Sequence, residues 1–168
     1  MRRFSFAAFT LLVLGLGEAA AEATVTGARI TWFGIFQAAE SKAVPDKTSP
    51  TGTRLQSTGI VPPKSNSDRI PAVLNTRFGV GYFLEGKPDG DSGKVRHLRL
   101  FPPGGIVNPK TGQRADSLDV ELSLTVGREW FLGYTFREPW EIVPGVWTIQ
   151  VWSSNRKLIE KQFTVHKP

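Results

Sequence analysis

Residues 117–126, Ser-Leu-Asp-Val-Glu-Leu-Ser-Leu-Thr-Val, alternate polar and apolar side chains without a break. Successive side chains of an extended chain point to opposite faces. The run therefore sends Leu118, Val120, Leu122, Leu124 and Val126 to one side and Asp119, Glu121, Ser123 and Thr125 to the other. A strand with one wet and one dry face belongs in an antiparallel sheet packed on a single core, and that dry face needs a second layer to cover it.

The remainder of the chain agrees with that demand. No stretch of a dozen residues past the N-terminus shows apolar spacing of three and four, whereas six further segments read as strands: about 28–37, 72–84, 94–101, 130–137, 145–153 and 157–166. Turn-forming clusters separate them, among them Lys-Pro-Asp-Gly-Asp-Ser-Gly-Lys (87–94), Pro-Pro-Gly-Gly (102–105) and Val-Pro-Gly (143–145). Seven short strands without helices predict an all-β fold, an immunoglobulin-like antiparallel β-sandwich, with a small β-barrel as the alternative. Residues 38–69, rich in Ser, Thr, Pro and Lys, read as a long loop. There is no cysteine, so packing alone must hold the fold, and thiolate metal sites are excluded.

The N-terminus sets the compartment. Arg2 and Arg3 precede an apolar run from Phe4 to Leu16 and then small residues, with Ala19 and Ala21 placed for cleavage. These are the three regions of a signal peptide, expected over residues 1–21, and the apolar run is shorter than the roughly 20 residues a membrane helix needs. A single domain is expected over residues 22–168, free in the bacterial periplasm or secreted, with no membrane span once the signal is removed. Two Arg and one Glu leave with the signal, so the formal charge falls from +6 to +5. Lysines and arginines are scattered, which argues against nucleic acid and leaves an envelope protein or a cell-wall polymer as the expected partner.

Five tryptophans, three of them within residues 138–152, raise the question of a sticky surface. Parity along 145–153 places Trp147 with Ile149 and Val151 on the core face and Trp152 with Val146, Thr148 and Gln150 on the other. Trp140 follows Pro139, where a bend can fold its ring over the open end of the sandwich. Trp32 and Trp130 fit either face, and one or two of the five indoles are expected to meet water. In the last strand Lys161 shares parity with Ile159, Phe163 and Val165, which requires either an edge position or a bulge.

Catalytic motifs are weak. Gly90-Asp-Ser-Gly93 resembles a serine-protease nucleophile segment, but both histidines, His97 and His166, follow Ser92, opposite to the chymotrypsin-like order. An EF-hand loop starting at Asp89 would need Glu at its twelfth position, which is Leu100. Two histidines cannot make a three-ligand zinc site unless carboxylates join them. Glu138 and Glu141 flank Pro139 and Trp140, a pair of acids of the kind a glycoside-type hydrolase uses, though a chain of this length offers such pairs by chance. No cofactor motif is present.

Several blocks carry a family resemblance: Gly34-Ile-Phe36, Ile70-Pro-Ala72 followed by Phe78-Gly79, Phe101-Pro-Pro-Gly-Gly-Ile106, and above all Trp130-Phe-Leu-Gly-Tyr-Thr-Phe-Arg-Glu-Pro-Trp-Glu-Ile-Val-Pro-Gly-Val-Trp147 with the closing Phe163-Thr-Val165. In these the chain resembles a family of small bacterial proteins known as a domain of unknown function. The resemblance covers nearly the whole mature chain and implies no catalytic residue. It implies that Trp130 and the Pro139–Trp147 segment form a shared structural corner. The expectation is then an exported, non-catalytic binding or interaction module, contacting its ligand through Trp140, Glu141 and Trp152. A carbohydrate-binding module and a hydrolase stand as alternatives.

Overall fold

A computed structural model of the chain describes residues 22–168, so the expected signal peptide lies outside the described residues. In chain order the strands are β1 (Thr24–Ile35), β2 (Gln37–Pro45), β3 (Thr53–Val61), β4 (Arg69–Pro71), β5 (Arg77–Lys87), β6 (Ser92–Leu100), β7 (Ile106–Val107), β8 (Arg114–Ala115), β9 (Ser117–Thr125), β10 (Arg128–Thr135), β11 (Gly145–Ser153) and β12 (Arg156–His166). A single 3-10 turn, Pro139–Glu141, is the one helical element among the described residues.

Two sheets face each other: three strands in the order β1-β5-β10, and five in the order β4-β12-β11-β6-β9. They stay open at their edges, so the architecture is the β-sandwich and not the barrel. The seven segments expected as strands are the seven long strands of these sheets. Their dry faces meet in one core, in which Phe78, Val80, Tyr82 and Leu84 of β5 lie opposite Trp147, Ile149 and Val151 of β11, all fully buried or nearly so. Trp147, 1% exposed, is the centre of an aromatic cluster, with ring centroids of Phe101 and Tyr134 at 4.9 Å, Phe136 at 5.5 Å and Phe78 at 5.6 Å. Its indole N–H donates to the Val143 carbonyl at 2.9 Å, so the one polar atom of the ring is satisfied in the interior.

Glycines in β5 and β10 have a steric reason. A Cβ on Gly81 would stand 2.0 Å from Trp32 Nε1, and one on Gly133 would stand 2.8 Å from the Phe36 ring. Trp32 and Phe36 thus lie flat on the outer face of the three-stranded sheet, Phe36 stacking edge-on against Phe131 at 5.8 Å.

The loop expected over residues 38–69 is corrected by the structure: β2 and β3 pair as an antiparallel hairpin, Gln37 opposite Val61 through Pro45 opposite Thr53. Most of its residues are exposed or half-exposed on both faces, so it carries no apolar alternation and depends on backbone pairing and tethers. Arg137 supplies those tethers, donating to Thr51 and Thr53 side chains and, at 2.9 Å, to the Thr53 carbonyl, and Arg77 donates to Ser41 Oγ at 2.7 Å.

Lys161 resolves in favour of an edge. β4 covers β12 only at Thr164–His166, leaving the preceding stretch with β11 as its one partner. The lysine stem crosses the Phe33 ring, with Nζ 3.9 Å from its centroid, and reaches Asp68 at 3.5 Å. The register shift in this strand falls between Val151 and Trp152 of its neighbour, before the lysine.

Candidate functional site

Strands β9 and β10 are joined by a tight turn at Val126 and Gly127, yet they enter different sheets, each as an edge strand. A wedge opens between them along the side of the sandwich. It forms a cleft of about 280 Å³, walled on one side by Leu118, Val120, Leu122 and Leu124 of β9 and on the other by Trp130 and Tyr134 of β10. The β2–β3 hairpin leans over it through Arg54, Leu55 and Gln56. Leu118 and Leu124 are buried, whereas Val120 and Leu122 remain half-exposed because no strand lies across them. An incompletely covered apolar stripe on an edge strand is a common mark of a binding surface.

The floor of the cleft belongs to β6, whose inward residues are Val95, His97 and Arg99. His97 is 5% exposed and hydrogen-bonded through Nε2 to the Tyr82 hydroxyl at 2.6 Å. Loss of hydration, reinforced by the nearby Arg99 cation, pushes the imidazole down from its ordinary 6.5 to about 3, so it is neutral. Burial likewise raises the Tyr82 and Tyr134 hydroxyls above the usual phenol range. The Tyr82–His97 pair is therefore a satisfied neutral contact.

Arg99 is different. Its Nε donates to the Gly133 carbonyl at 2.8 Å, the sole hydrogen bond its side chain makes among the described residues. None of the ion pairs among those residues includes it. Loss of hydration pulls it down to about 10, which leaves it a cation at neutral pH. The nearby acids are engaged elsewhere. Asp46 faces Arg54 at 3.9 Å. Glu141 accepts from the Tyr134 hydroxyl at 2.6 Å and from the backbone N–H groups of Arg137 and Glu138 at 2.7 Å each. A guanidinium carries five N–H donors, and four of these have no partner among the described residues.

The three residues expected at the contact surface do not come together. Trp140 and Glu141 share the 3-10 turn; Trp152 lies at the far end of β11, seven strand residues beyond Gly145 and so roughly 20 Å away. Trp140 is half-buried against the core. Glu141, 1% exposed, closes a capping box with Glu138, and both of its oxygens are taken. Trp152 does face away from the core, half-buried, with its N–H on Gln150 and the cations of Arg96 and Lys157 over its ring at 5.3 and 6.0 Å. Trp32 and Trp147 are buried and the other three indoles half-buried.

Ser92, in the Gly90–Gly93 motif, opens β6 after the β5–β6 turn, five residues along the strand from His97. No group of three or more His, Cys, Asp or Glu among the described residues is placed to hold a metal ion. Sequence reasoning missed Arg99. Its position two residues after His97 and four after Val95, on the inner face of a central strand, was the available sign.

Fold and cleft together define an immunoglobulin-like β-sandwich module. The chain belongs to the family described as Domain of unknown function (DUF3859), whose profile matches residues 25–165. It is similar to an immunoglobulin-like protein from Pseudomonas aeruginosa, with 32% identity over 88% of this chain and 99% of that one and a TM-score of 0.58. A likeness to a β-glucosidase from Listeria innocua, at 10% identity, covers 80% of this chain and 16% of that one with a TM-score of 0.30, too low to bear on function. A search of curated proteins gives no match.

Proposed function

We propose that the protein is an exported, non-catalytic binding module of the bacterial envelope whose ligand enters the cleft between β9 and β10. The observation that carries this reading is the Arg99 guanidinium, without an ion-pair partner among the described residues, at the floor of an apolar-walled cleft. Folding leaves a cation there at a cost in hydration, and the Asp46 and Glu141 carboxylates beside it are held by other groups. A group kept at that cost for packing alone would be replaced by an apolar side chain of similar volume. Export rests on Arg2, Arg3, the apolar run that follows and the alanines near residue 21. The non-catalytic reading is supported by the engagement of Glu141 and of His97, which leaves neither group free to move a proton in the cleft.

The test is a photo-crosslinking residue at Leu122, on the cleft wall, in the full chain expressed with its N-terminal segment. The expected result is a discrete adduct in the envelope fraction that disappears when the same residue is placed at exposed Gln162 on β12. Equal labelling from both positions, or a cytoplasmic chain retaining residues 1–21, refutes the reading.

A further inference from the structure

The apolar wall and the Arg99 cation, which has no ion-pair partner among the described residues, restrict what the cleft can hold. Resting on the binding reading above, we propose that it takes a small amphipathic carboxylate, an apolar chain laid along β9 with its carboxylate on Arg99. The chemistry follows from three features. Leu118, Val120, Leu122 and Leu124 present a continuous aliphatic stripe from alternate positions of one strand. Arg99 offers its planar fork of N–H donors, whose geometry matches a carboxylate and pairs with it in two parallel bonds. Asp46 and Glu141 also line the cleft. With Arg54 and Arg137, which line it too, the cleft carries three cations against two carboxylates, a net single positive charge that a monoanion cancels and a dianion such as a phosphate monoester would exceed.

Size narrows the class. A cleft of about 280 Å³ holds about nine methylene-sized groups if each takes roughly the ~30 Å³ share of a water molecule. A medium-chain fatty acid fits, and a long-chain lipid would protrude past the β2–β3 hairpin.

The experiment titrates the purified mature chain with decanoate, decanol and decyltrimethylammonium below their micelle concentrations. The difference in tryptophan emission between the wild type and Trp130→Phe reports occupancy of the cleft, and calorimetry reports affinity. Decanoate is expected to bind saturably and about tenfold or more tightly than decanol, because the head group gains a charge-assisted pair. The ammonium compound is expected to show no saturable binding. Arg99→Met should remove the preference for decanoate over decanol while leaving the circular dichroism unchanged, and Arg99→Lys should keep part of the preference. Equal binding of decanoate and decanol by the wild type, or unaltered decanoate affinity in Arg99→Met, overturns the proposal. Absence of any decanoate binding does so too. An adduct from Leu122 alongside absent decanoate binding would leave the module reading standing with another ligand, so the two failures are distinguishable.

Discussion

His97 gives the sharpest test of the interior. In the unfolded chain its imidazole titrates near 6.5, whereas in the sandwich loss of hydration and the Arg99 cation hold it down at about 3. Between those values the unfolded state binds a proton that the folded state refuses. Stability from this group is therefore complete above pH 6.5 and is lost progressively as the pH falls toward 3. With these two values, lowering the pH from 7 to 5 costs about 2 kcal/mol, the slope approaching 1.36 kcal/mol per pH unit. For a domain of this size that is a fall of roughly 4–8 °C in Tm.

Other groups also respond to acid, so the measurement is a difference. Thermal unfolding of the wild type and of His97→Gln is followed at pH 7 and pH 5. Glutamine offers a hydrogen-bonding partner to Tyr82 and has no proton to gain in this range. The wild type should lose about 2 kcal/mol more than the variant over this interval, and a histidine ring resonance should fail to titrate down to pH 4. Equal losses in the two proteins would show that His97 protonates in place, and the Tyr82–His97 contact would not be a buried neutral pair.

Four further outcomes follow from the packing. Trp147→Ala should cost about 3–5 kcal/mol in urea unfolding, because it empties the centre of the aromatic cluster. Glu141→Gln should cost about 1–3 kcal/mol by setting an amide N–H against one of the three donors that now meet a carboxylate, and it should remove no turnover. Arg137→Ala should loosen the β2–β3 hairpin with little effect on the sandwich, seen as faster tryptic cleavage at Lys47 and Arg54 while the core amides stay protected. Arg99→Met should leave the free protein as stable as the wild type or about 1 kcal/mol more so by chemical denaturation, and a loss beyond about 2 kcal/mol would mean that the cation supports the fold.

What could be read from the residues was what water sorts. Alternation in Leu118–Val126 and in Trp147–Val151 placed two strands and the central indole correctly, because burial on one face selects every second residue. The β2–β3 hairpin lies outside the core, so its strands experience no such selection, and its sequence resembles a loop. The contact residues were expected at Trp140, Glu141 and Trp152; the first two lie in the corner after β10 and Trp152 at the opposite end of β11. A cleft depends on which edges remain uncovered, and that is a property of strand order. Local pattern does not encode that β9 turns into β10 and the two then part into different sheets.

That parting explains why the charged residues of β6 are where they are. β6 is flanked by β11 and β9, so its inward side chains would ordinarily be aliphatic, as Val95 is. His97 and Arg99 follow on the same face as the strand passes under the opening wedge. The polarity of the inner face thus rises along β6 toward the cleft, with both side chains still bonded to the three-stranded sheet. His97 is neutralised by burial against Tyr82, while Arg99 keeps its charge and its free donors. A fold selected only for stability would close the wedge with another strand or fill it with larger apolar residues. This one instead holds half-exposed Val120 and Leu122 beside an unneutralised guanidinium, and sites kept below the local stability optimum are where function is expected.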